Sequence, residues 1–352
     1  MSITSPRDVD EKSNRGSGDG LRQAGESHFV HATCPLCGGE DSVKYCSTRD
    51  HNWQIPGEFS YVGCKGCGLV RQDPRPLREH IPSLYPLHYG TVVREPNPSA
   101  QISTAVHRYR ASRIERFATV PGFVFDIGCG GGFFLEFMRQ RGWKVGGVES
   151  AQEHVDYARD QLHLNNVTRS AWPMEKKLPV RADAICMFHF LEHSSAPVEA
   201  LARTKDFLAP GGVVVIETPN VESWPMRIFG QYCTQFDAPR HLSLFSQATL
   251  KRCAERAGLD VVETRTFSPT TMEYTESLRY LAQALGLRKY PAPSFSATGG
   301  TEEEVARSSR SSFQKPLMRL LHAGERLCVR ACNTAAQMTN QGSNLFLIAR
   351  NK

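Results

Sequence analysis

Short apolar runs alternate with amphipathic stretches over residues 121–268 of the chain. The runs are rich in β-branched and aromatic residues, which is typical of strands: FVFDIG, KVGGVES, AICMFHF, VVVIET and LDVVETRTF. The stretches between them repeat apolar residues every three or four positions, which predicts helices such as FFLEFMRQRG and PVEALARTKDFL. A weaker third strand is expected near 166–168. Strands that alternate with helices predict an α/β fold with a Rossmann-like, doubly wound parallel sheet.

The flanking segments predict smaller units around this core. The closing run NLFLIAR has a strand pattern, and because nothing after it can form a crossover, we expect it to join the sheet antiparallel, beside the sixth strand. The predicted boundaries are 1–28 for a polar, disordered tail, 29–75 for a small cysteine-containing module, 76–120 for a connector and lead-in helix, 121–268 for the core, 269–342 for a helical insertion and 343–352 for the last strand.

One helical pattern of the insertion, at about 312–332, is amphipathic and basic. Two roles fit it: a helix that contacts a membrane surface peripherally, or a cap helix packed on the core. The second role is favoured. The apolar stripe contains Phe313, Leu317, Leu320, Leu321, Cys328 and Ala331.

Composition narrows the classes of function. The net charge of +6 over 352 residues is too small to indicate nucleic acid as a partner, so we expect none. The sequence contains no run of about 18 apolar residues, and the first twelve residues lack the apolar region of a signal peptide. The eleven cysteines are an odd number, which favours a reducing compartment and metal binding over disulfides. We therefore expect a cytoplasmic protein with a small-molecule substrate. The sequence does not predict its oligomeric state.

The sharpest local motif is a glycine loop between the first strand and the first helix of the core. Its residues are Asp126, Gly128, Gly130 and Gly132. Glycines allow the backbone to approach a ligand closely, and a helix N-terminus offers free N–H groups. A dinucleotide fingerprint needs glycine at the sixth position, where Phe133 stands, so this loop serves a different cofactor.

The Asp-x-Gly-x-Gly-x-Gly loop resembles motif I of class I S-adenosylmethionine-dependent methyltransferases. The resemblance covers about 104–268 and 343–352, and it includes the Pro-Gly-Gly turn at 210–212. It implies S-adenosylmethionine as cofactor, with Glu149 at the end of the second strand holding the ribose hydroxyls. Trp172 either stacks on the adenine or packs on the sheet edge. The residues assigned to the cofactor are Asp126, Gly128, Cys129, Gly130, Gly132, Glu149, Trp172 and Phe188.

Two Cys-x-x-Cys-Gly knuckles precede the core. They comprise Cys34 with Cys37 and Cys64 with Cys67, and 26 residues separate them. Four thiolates suit tetrahedral zinc, and a closed four-cysteine site predicts a structural Zn²⁺ in a zinc ribbon. Such a module before a methyltransferase domain resembles a group of sugar C-methyltransferases, which implies that the module helps to cover the active site.

Histidines follow two of the predicted strands. Because ligands of open α/β sheets bind beyond the carboxyl ends of the strands, His189, His193 and His241 are candidates for a general base. The alternative role for each of these histidines is to fix a loop through hydrogen bonds. Three further residues are candidates for substrate binding: Arg240 for an anionic group such as a diphosphate, and Tyr85 and Tyr89 as a lid over the site.

Three functions remain open from the sequence. The leading one is methyl transfer to a small molecule, such as a sugar nucleotide or a polyketide-like or quinone-like intermediate. The second is methylation of RNA or protein, with the zinc module as the recognition element. The third is a non-catalytic scaffold, against which the intact Asp126 loop and Glu149 argue. Carbon, oxygen and nitrogen acceptors all remain open, and the histidines mildly favour an acceptor that must be deprotonated.

Overall fold

The structure, a computed structural model, describes residues 28–85, 101–118, 120–173, 180–287 and 329–351. In chain order the strands are β1 (Phe29–Val30), β2 (Ser42–Thr48), β3 (Phe59–Cys64), β4 (Val70–Gln72), β5 (Arg75–Pro76), β6 (Phe123–Ile127), β7 (Lys144–Glu149), β8 (Val167–Arg169), β9 (Ala182–Phe188), β10 (Leu208–Pro219), β11 (Ser243–Leu244), β12 (Leu259–Phe267) and β13 (Asn344–Asn351).

The α-helices are α1 (Ala105–Phe117), α2 (Phe133–Gln140), α3 (Gln152–Asp160), α4 (Pro197–Thr204), α5 (Trp224–Phe229), α6 (Gln247–Arg256) and α7 (Met272–Ala284). Short 3-10 turns lie at Arg78–Leu84, Leu191–His193, Gly230–Tyr232 and Thr234–Phe236. Residues 329–338 are also helical.

The main sheet has seven strands in the order β12-β13-β10-β9-β6-β7-β8. Neighbouring strands from β10 to β8 run parallel, and β13 is antiparallel to both β10 and β12. The predicted Rossmann-like sheet with an antiparallel last strand is thereby confirmed. The strand order reverses between β6 and β9, and this switch point opens a crevice at the carboxyl ends of these strands.

Helices cover both faces of this sheet. Successive side chains of a strand point to opposite faces: in β10, Val214 and Ile216 belong to the apolar cluster that includes residues of α4 and α6. Val213 and Val215 belong to the cluster that includes residues of α1, α2 and α3. Ser246 caps α6 through a capping box with Thr249.

The cysteine module is built on an antiparallel sheet of four strands, in the order β11-β4-β3-β2. The fourth strand comes from the core, because Ser243 and Leu244 of β11 pair with Arg71 and Val70 of β4. The boundary predicted at residue 75 therefore separates residues that share one sheet.

Side chains of the module also pack into the core. Leu36 and Leu69 of the knuckles belong to the same apolar cluster as strands β6, β9 and β10. A second cluster joins Tyr61 of β3 to Phe236. The buried hydroxyl of Tyr61 donates to the carbonyls of Phe236 and His241. The module thus fixes the segment that carries His241.

Some sequence predictions shift or fall outside the described ranges. Helix α7 forms over Met272–Ala284, inside the predicted helical insertion of 269–342. The predicted tail as far as residue 27, and the predicted 312–332 helix as far as residue 328, lie outside the described residues. Over the ranges that are described, the structure has no helix with both the length and the apolar character needed to span a bilayer.

Candidate active site

The crevice at the switch point is bounded by three segments: the 128–132 loop after β6, the end of β7 at Glu149, and residues 189–193 after β9. The segments meet because parallel strands present their carboxyl ends at one edge of the sheet. They bring most of the sequence-predicted site residues to this edge.

The glycine loop turns sharply between β6 and α2. Its first amide, that of Gly128, donates to the carbonyl of Val148 at 2.8 Å, which ties the loop to β7. Gly128 has φ +75°, and a Cβ there would lie 2.9 Å from the ring of Phe190. At Gly130, with φ +53°, a Cβ would meet nothing within 4 Å. The loop therefore packs against the 189–193 segment and leaves open space beside Gly130, as a cradle for a ligand requires.

Glu149 lies at the end of β7, where the resemblance predicts it. Its Oε2 accepts the amide of Gly130 at 3.0 Å, and its Oε1 accepts the amides of Ser150 and Ala151 at 2.7 and 3.0 Å. These bonds hold the carboxylate beside the glycine loop. Because a carboxylate has about four lone-pair sites, Oε2 keeps the capacity to accept a further bond from a ligand.

Asp126 is buried at the end of β6, and its Oδ1 has no hydrogen-bond partner. Burial raises the pKa of this carboxyl to about 8, although the nearby Arg110 opposes the rise. A buried carboxyl oxygen without a partner is costly unless a ligand satisfies it. The orphaned oxygen, the cradle at Gly130 and Glu149 together fit a cofactor that carries both positive charge and ribose hydroxyls.

Three residues assigned to the cofactor are held in the packing of the core. The Trp172 indole N–H donates to the carbonyl of Ala200 at 2.9 Å, and its ring packs on Phe207. Of the two roles left open for Trp172, the structure favours packing. The ring of Phe188 lies edge-on to Phe134 and under the Arg110 guanidinium. The Cys129 thiol points into the interior, where burial raises its pKa well above the usual value.

His189 is bound between two buried carboxylates. Its Nδ1 donates to Glu192 at 3.2 Å and its Nε2 donates to Glu217 at 3.1 Å. Partial desolvation opposes the charge on this ring, whose side chain is still 43% exposed, but the two hydrogen bonds and the negative charges raise the pKa of His189 to about 10. The geometry does not support the prediction that His189 is a general base, because an imidazolium with both nitrogens donating has no lone pair for a proton.

Sequence reasoning missed the charged residues around His189. Arg110 of α1 donates to Glu217 at 2.6 Å, and Asn344 of β13 donates to the same carboxylate at 2.8 Å. Glu192 stands between His189 and His193, the two candidate histidines after β9, and this position is a signal that points to it. Arg110 and Glu217 are 107 positions apart on different elements, and no local pattern connects them.

His193 and His241 come together in the crevice, with ring centroids 4.6 Å apart. The Nδ1 of His193 lies 3.1 Å from the carbonyl of Arg240, and the Nδ1 of His241 lies 2.8 Å from the carbonyl of Gln235. A carbonyl only accepts, so an Nδ1 that bonds to one donates its proton, and in a neutral ring the lone pair is then on Nε2. Burial, followed by the charge of His241, lowers the pKa of His193 to about 4.

The structure separates the three residues predicted to bind substrate. Tyr85 reaches the crevice, where its hydroxyl lies 2.9 Å from the Nδ1 of His193. Tyr89 lies outside the described residues. Arg240 is fully buried and binds two carboxylates, with 2.9 Å to Asp50 and 2.8 Å to Asp237. The predicted diphosphate contact of Arg240 is therefore not supported, because its guanidinium is saturated inside the protein.

The four knuckle cysteines form one cluster. The Sγ atoms of Cys34, Cys37, Cys64 and Cys67 lie within 4.8 Å of one another. The Sγ atoms of Cys34 and Cys67 lie 3.5 Å apart, and so do those of Cys37 and Cys64. Thiolates at the usual zinc distance of about 2.3 Å in a tetrahedron lie about 3.8 Å apart, so this arrangement fits Zn²⁺.

Comparison with known proteins agrees with this geometry. A family model described as a methyltransferase domain matches residues 103–264. A ubiquinone biosynthesis O-methyltransferase of Aeromonas salmonicida is 30% identical over 170 residues, which are 44% of this chain and 71% of that protein. The chain belongs to the class I S-adenosylmethionine-dependent methyltransferases. The enzyme of the same name from Nitrosospira multiformis is 27% identical to this methyltransferase over 197 residues, 51% of this chain and 82% of the relative.

A solved structure, a SAM-dependent methyltransferase from Archaeoglobus fulgidus, is similar to this methyltransferase with 20% identity and a TM-score of 0.43. The match covers 70% of this chain and 93% of that one.

Proposed function

We propose that this methyltransferase transfers the methyl group of S-adenosylmethionine to a hydroxyl oxygen of a small molecule. The observation that carries the proposal is the pair of imidazoles in the crevice, His193 and His241, with ring centroids 4.6 Å apart. A hydroxyl must lose its proton to become a good nucleophile, and a neutral imidazole is a group that accepts such a proton. The O-methyltransferase names of the two relatives support the same acceptor atom.

The cofactor residues would act as follows. The Glu149 carboxylate, fixed by backbone amides, accepts the ribose hydroxyls, and the open space at Gly130 admits the cofactor chain. The orphaned Oδ1 of Asp126 offers an acceptor to a cationic group. The bound cofactor supplies an activated methyl group on its sulfonium sulfur. Alignment of acceptor and methyl group in a shaped crevice contributes much of the rate of such a displacement.

His189 and Arg110 would serve as fixed cations. They neutralise Glu192 and Glu217, which are both fully buried at the floor of the crevice. Without these cations, two buried carboxylates would repel each other and would have to take up protons. The pair thus positions the 189–193 segment and leaves proton removal to the other two histidines.

The four-cysteine cluster would hold a structural Zn²⁺. Its closed set of ligands leaves no open position for substrate. The ion would act indirectly: it shapes the module, whose Tyr61 holds the carbonyl of His241. The face of the module that contains Tyr61 is buried against the core, so that face is not available for RNA or protein recognition.

A binding and turnover assay tests the proposed function. Calorimetry should show one S-adenosylmethionine bound per chain. With methyl-labelled cofactor, small phenols and catechols should yield O-methyl ethers, identified by the chemical shift of the new methyl group. Matched anilines and C-nucleophiles serve as controls. Transfer to nitrogen or carbon but not to oxygen would refute the acceptor assignment, and failure to bind the cofactor would refute the function.

A further inference from the structure

A cavity outside the crevice lies between the cysteine module and the helical insertion. Its volume is about 900 Å³, which is within the range of small-molecule sites. It is bounded by β2 and the loop after it, by the Gly230–Tyr232 turn and by the last turn of α7. One lining residue, Asp50, binds Arg240, whose neighbour His241 lies in the crevice. None of the crevice residues described above lines this cavity, so the two sites are adjacent but separate.

Aromatic rings form one wall of the cavity. The His51 ring stacks on that of Tyr280, with centroids 4.9 Å apart and 17° between the planes, and its centroid lies 5.9 Å from that of Tyr232. Burial lowers the pKa of His51, so this ring is uncharged at neutral pH. Aromatic rings attract further rings at such distances, in offset-stacked or edge-to-face arrangements. The wall therefore favours a ligand that contains a planar ring.

An irregularity in β2 adds a lysine and a further ring to the lining. In the pairing of β2 with β3, Lys44 is opposite Val62 and Cys46 is opposite Tyr61, so Tyr45 is an extra residue without a partner in the ladder. A regular strand sends successive side chains to opposite faces, whereas a bulge bends the strand and re-aims them. Consecutive residues at the bulge, Lys44 and Tyr45, both line the cavity.

Two cations of the lining lack a carboxylate partner. Lys44 and Arg49 are exposed, and neither forms an ion pair with a residue that the structure describes. The lining also contains two carboxylates: Asp50 is neutralised by Arg240, and Glu58 is exposed. The two cations thus outnumber the one carboxylate that no cation neutralises. An arginine binds a carboxylate or a phosphate through two parallel N–H bonds, so Arg49 suits an anionic group.

We propose that this cavity is a second ligand site, which binds a small aromatic anion. The ring of the ligand packs against His51 and Tyr232, and its carboxylate or phosphate binds Arg49, with Lys44 as the second cation. Charge-assisted hydrogen bonds to Arg49 supply specificity for the anion, and the rings supply apolar contact. The inference goes beyond the proposed methyl transfer, because the cavity uses none of the residues assigned to the cofactor or to proton removal.

Titration with phenyl phosphate and with benzoate tests the site on the full-length protein loaded with zinc and S-adenosylmethionine. We expect one molecule bound per chain by calorimetry, with a dissociation constant below about 1 mM for at least one of the two anions. The tighter of the two identifies the anionic group as a phosphate or a carboxylate. Benzamide, a ring without charge, and inorganic phosphate, a charge without a ring, should each bind at least about tenfold more weakly. Failure of both aromatic anions to bind would overturn the proposal, and so would equal affinity for these controls.

A pair of arginine variants tests where the anion binds. Arg49→Gln should weaken binding of the tighter anion by at least about tenfold, because it removes the charged partner but keeps a polar side chain. Arg252→Gln is the matched control, because Arg252 is also an exposed arginine and belongs to α6, outside the lining. S-adenosylmethionine binding reports whether each variant folds. Undiminished binding by Arg49→Gln would show that the anion occupies another place and would overturn this site.

Nuclear magnetic resonance of the His51 ring keeps the test decisive on the wild-type protein. The ring signal is assigned by its loss in His51→Gln, and the bound aromatic anion should shift it, because the ligand ring lies against it. An unchanged His51 signal at saturating ligand would overturn the site. O-methyl transfer by a protein that binds neither anion would leave the proposed function intact and remove this inference. Anion binding at His51 without transfer to hydroxyls would do the reverse.

Discussion

At the scale of single residues, burial and partners set the charge of each group in the crevice. His189 and His193 are four positions apart on one segment, yet their pKa values move in opposite directions. Two carboxylates raise the pKa of His189 to about 10, whereas burial beside His241 lowers that of His193 to about 4. The same type of side chain is thus a fixed cation at one position and a lone-pair donor at the other.

Asp126 should link cofactor binding to pH. Its pKa of about 8 means that it is protonated at pH 6–7 in the free protein, and a cationic cofactor favours the ionised form. We expect proton release on binding and an affinity that rises up to about tenfold from pH 6 to pH 7. Calorimetry in buffers of different ionisation enthalpy measures the release. Asp126→Asn should abolish it, while Asp183→Asn, at the start of β9, should not. A wild-type affinity for the cofactor that does not change with pH would contradict this prediction.

Trp172 should contribute to stability rather than to adenine binding. Trp172→Phe keeps an aromatic ring but removes the hydrogen bond to Ala200. We expect a loss of about 1 kcal/mol in the free energy of unfolding, measured with urea. The affinity for S-adenosylmethionine should stay the same in calorimetry. A tenfold weaker affinity with unchanged stability would instead place Trp172 at the adenine.

At the scale of elements, the segment between β10 and α6 connects the module to the crevice. It supplies β11 to the module's sheet and His241 to the site. Arg240 directly precedes His241, and its guanidinium joins Asp50 of the module to Asp237 of the segment. The ion triad therefore fixes the module against the segment that positions His241.

Arg240→Leu should destabilise the protein strongly. Both carboxylates would remain buried without their cation, a change that costs about 3–5 kcal/mol. Urea unfolding measures this loss. Lys251→Ala is the control, because Lys251 and Glu255 form an exposed pair 3.8 Å apart on α6, worth less than about 1 kcal/mol. Equal stabilities for the two variants would show that the triad does not hold the module in place.

At the scale of the whole molecule, the module and the core share apolar clusters instead of facing each other across a linker. Cys34 and Cys64 belong to the cluster that contains Ile185 and Ile216 of the main sheet. Loss of order in the knuckles would remove packing from the core itself. The two parts should accordingly unfold together.

Removal of zinc should lower the melting temperature of the entire chain. Stripping the metal with a thiol reagent and a chelator should release one Zn²⁺, and calorimetric scans should show a single transition at lower temperature. Cys37→Ser should reproduce this effect. Cys46→Ser should not, because Cys46 of β2 is outside the cluster. An unchanged main transition beside a small separate one would show that the core is independent of the module.

The sequence by itself determined the features that depend on neighbours along the chain. Hydrophobic periodicity predicted the order of strands and helices, and Leu259–Phe267 forms a strand over the predicted residues. The glycine loop and the cysteine knuckles were visible because their chemistry needs fixed spacings within a few residues. Glu149 followed from the resemblance to class I methyltransferases, which implies an acidic residue at the end of the second strand.

Only the tertiary structure decided the charge and the partners of the crevice residues. Arg240 binds Asp50, which lies 190 positions earlier in the chain. Because that ion pair occupies its guanidinium, Arg240 is not a substrate contact. The charge on His189 and the joining of β11 to the module's sheet likewise depend on contacts between distant segments. The physical reason is that burial and ion pairing act through space, whereas a sequence pattern records only local spacing.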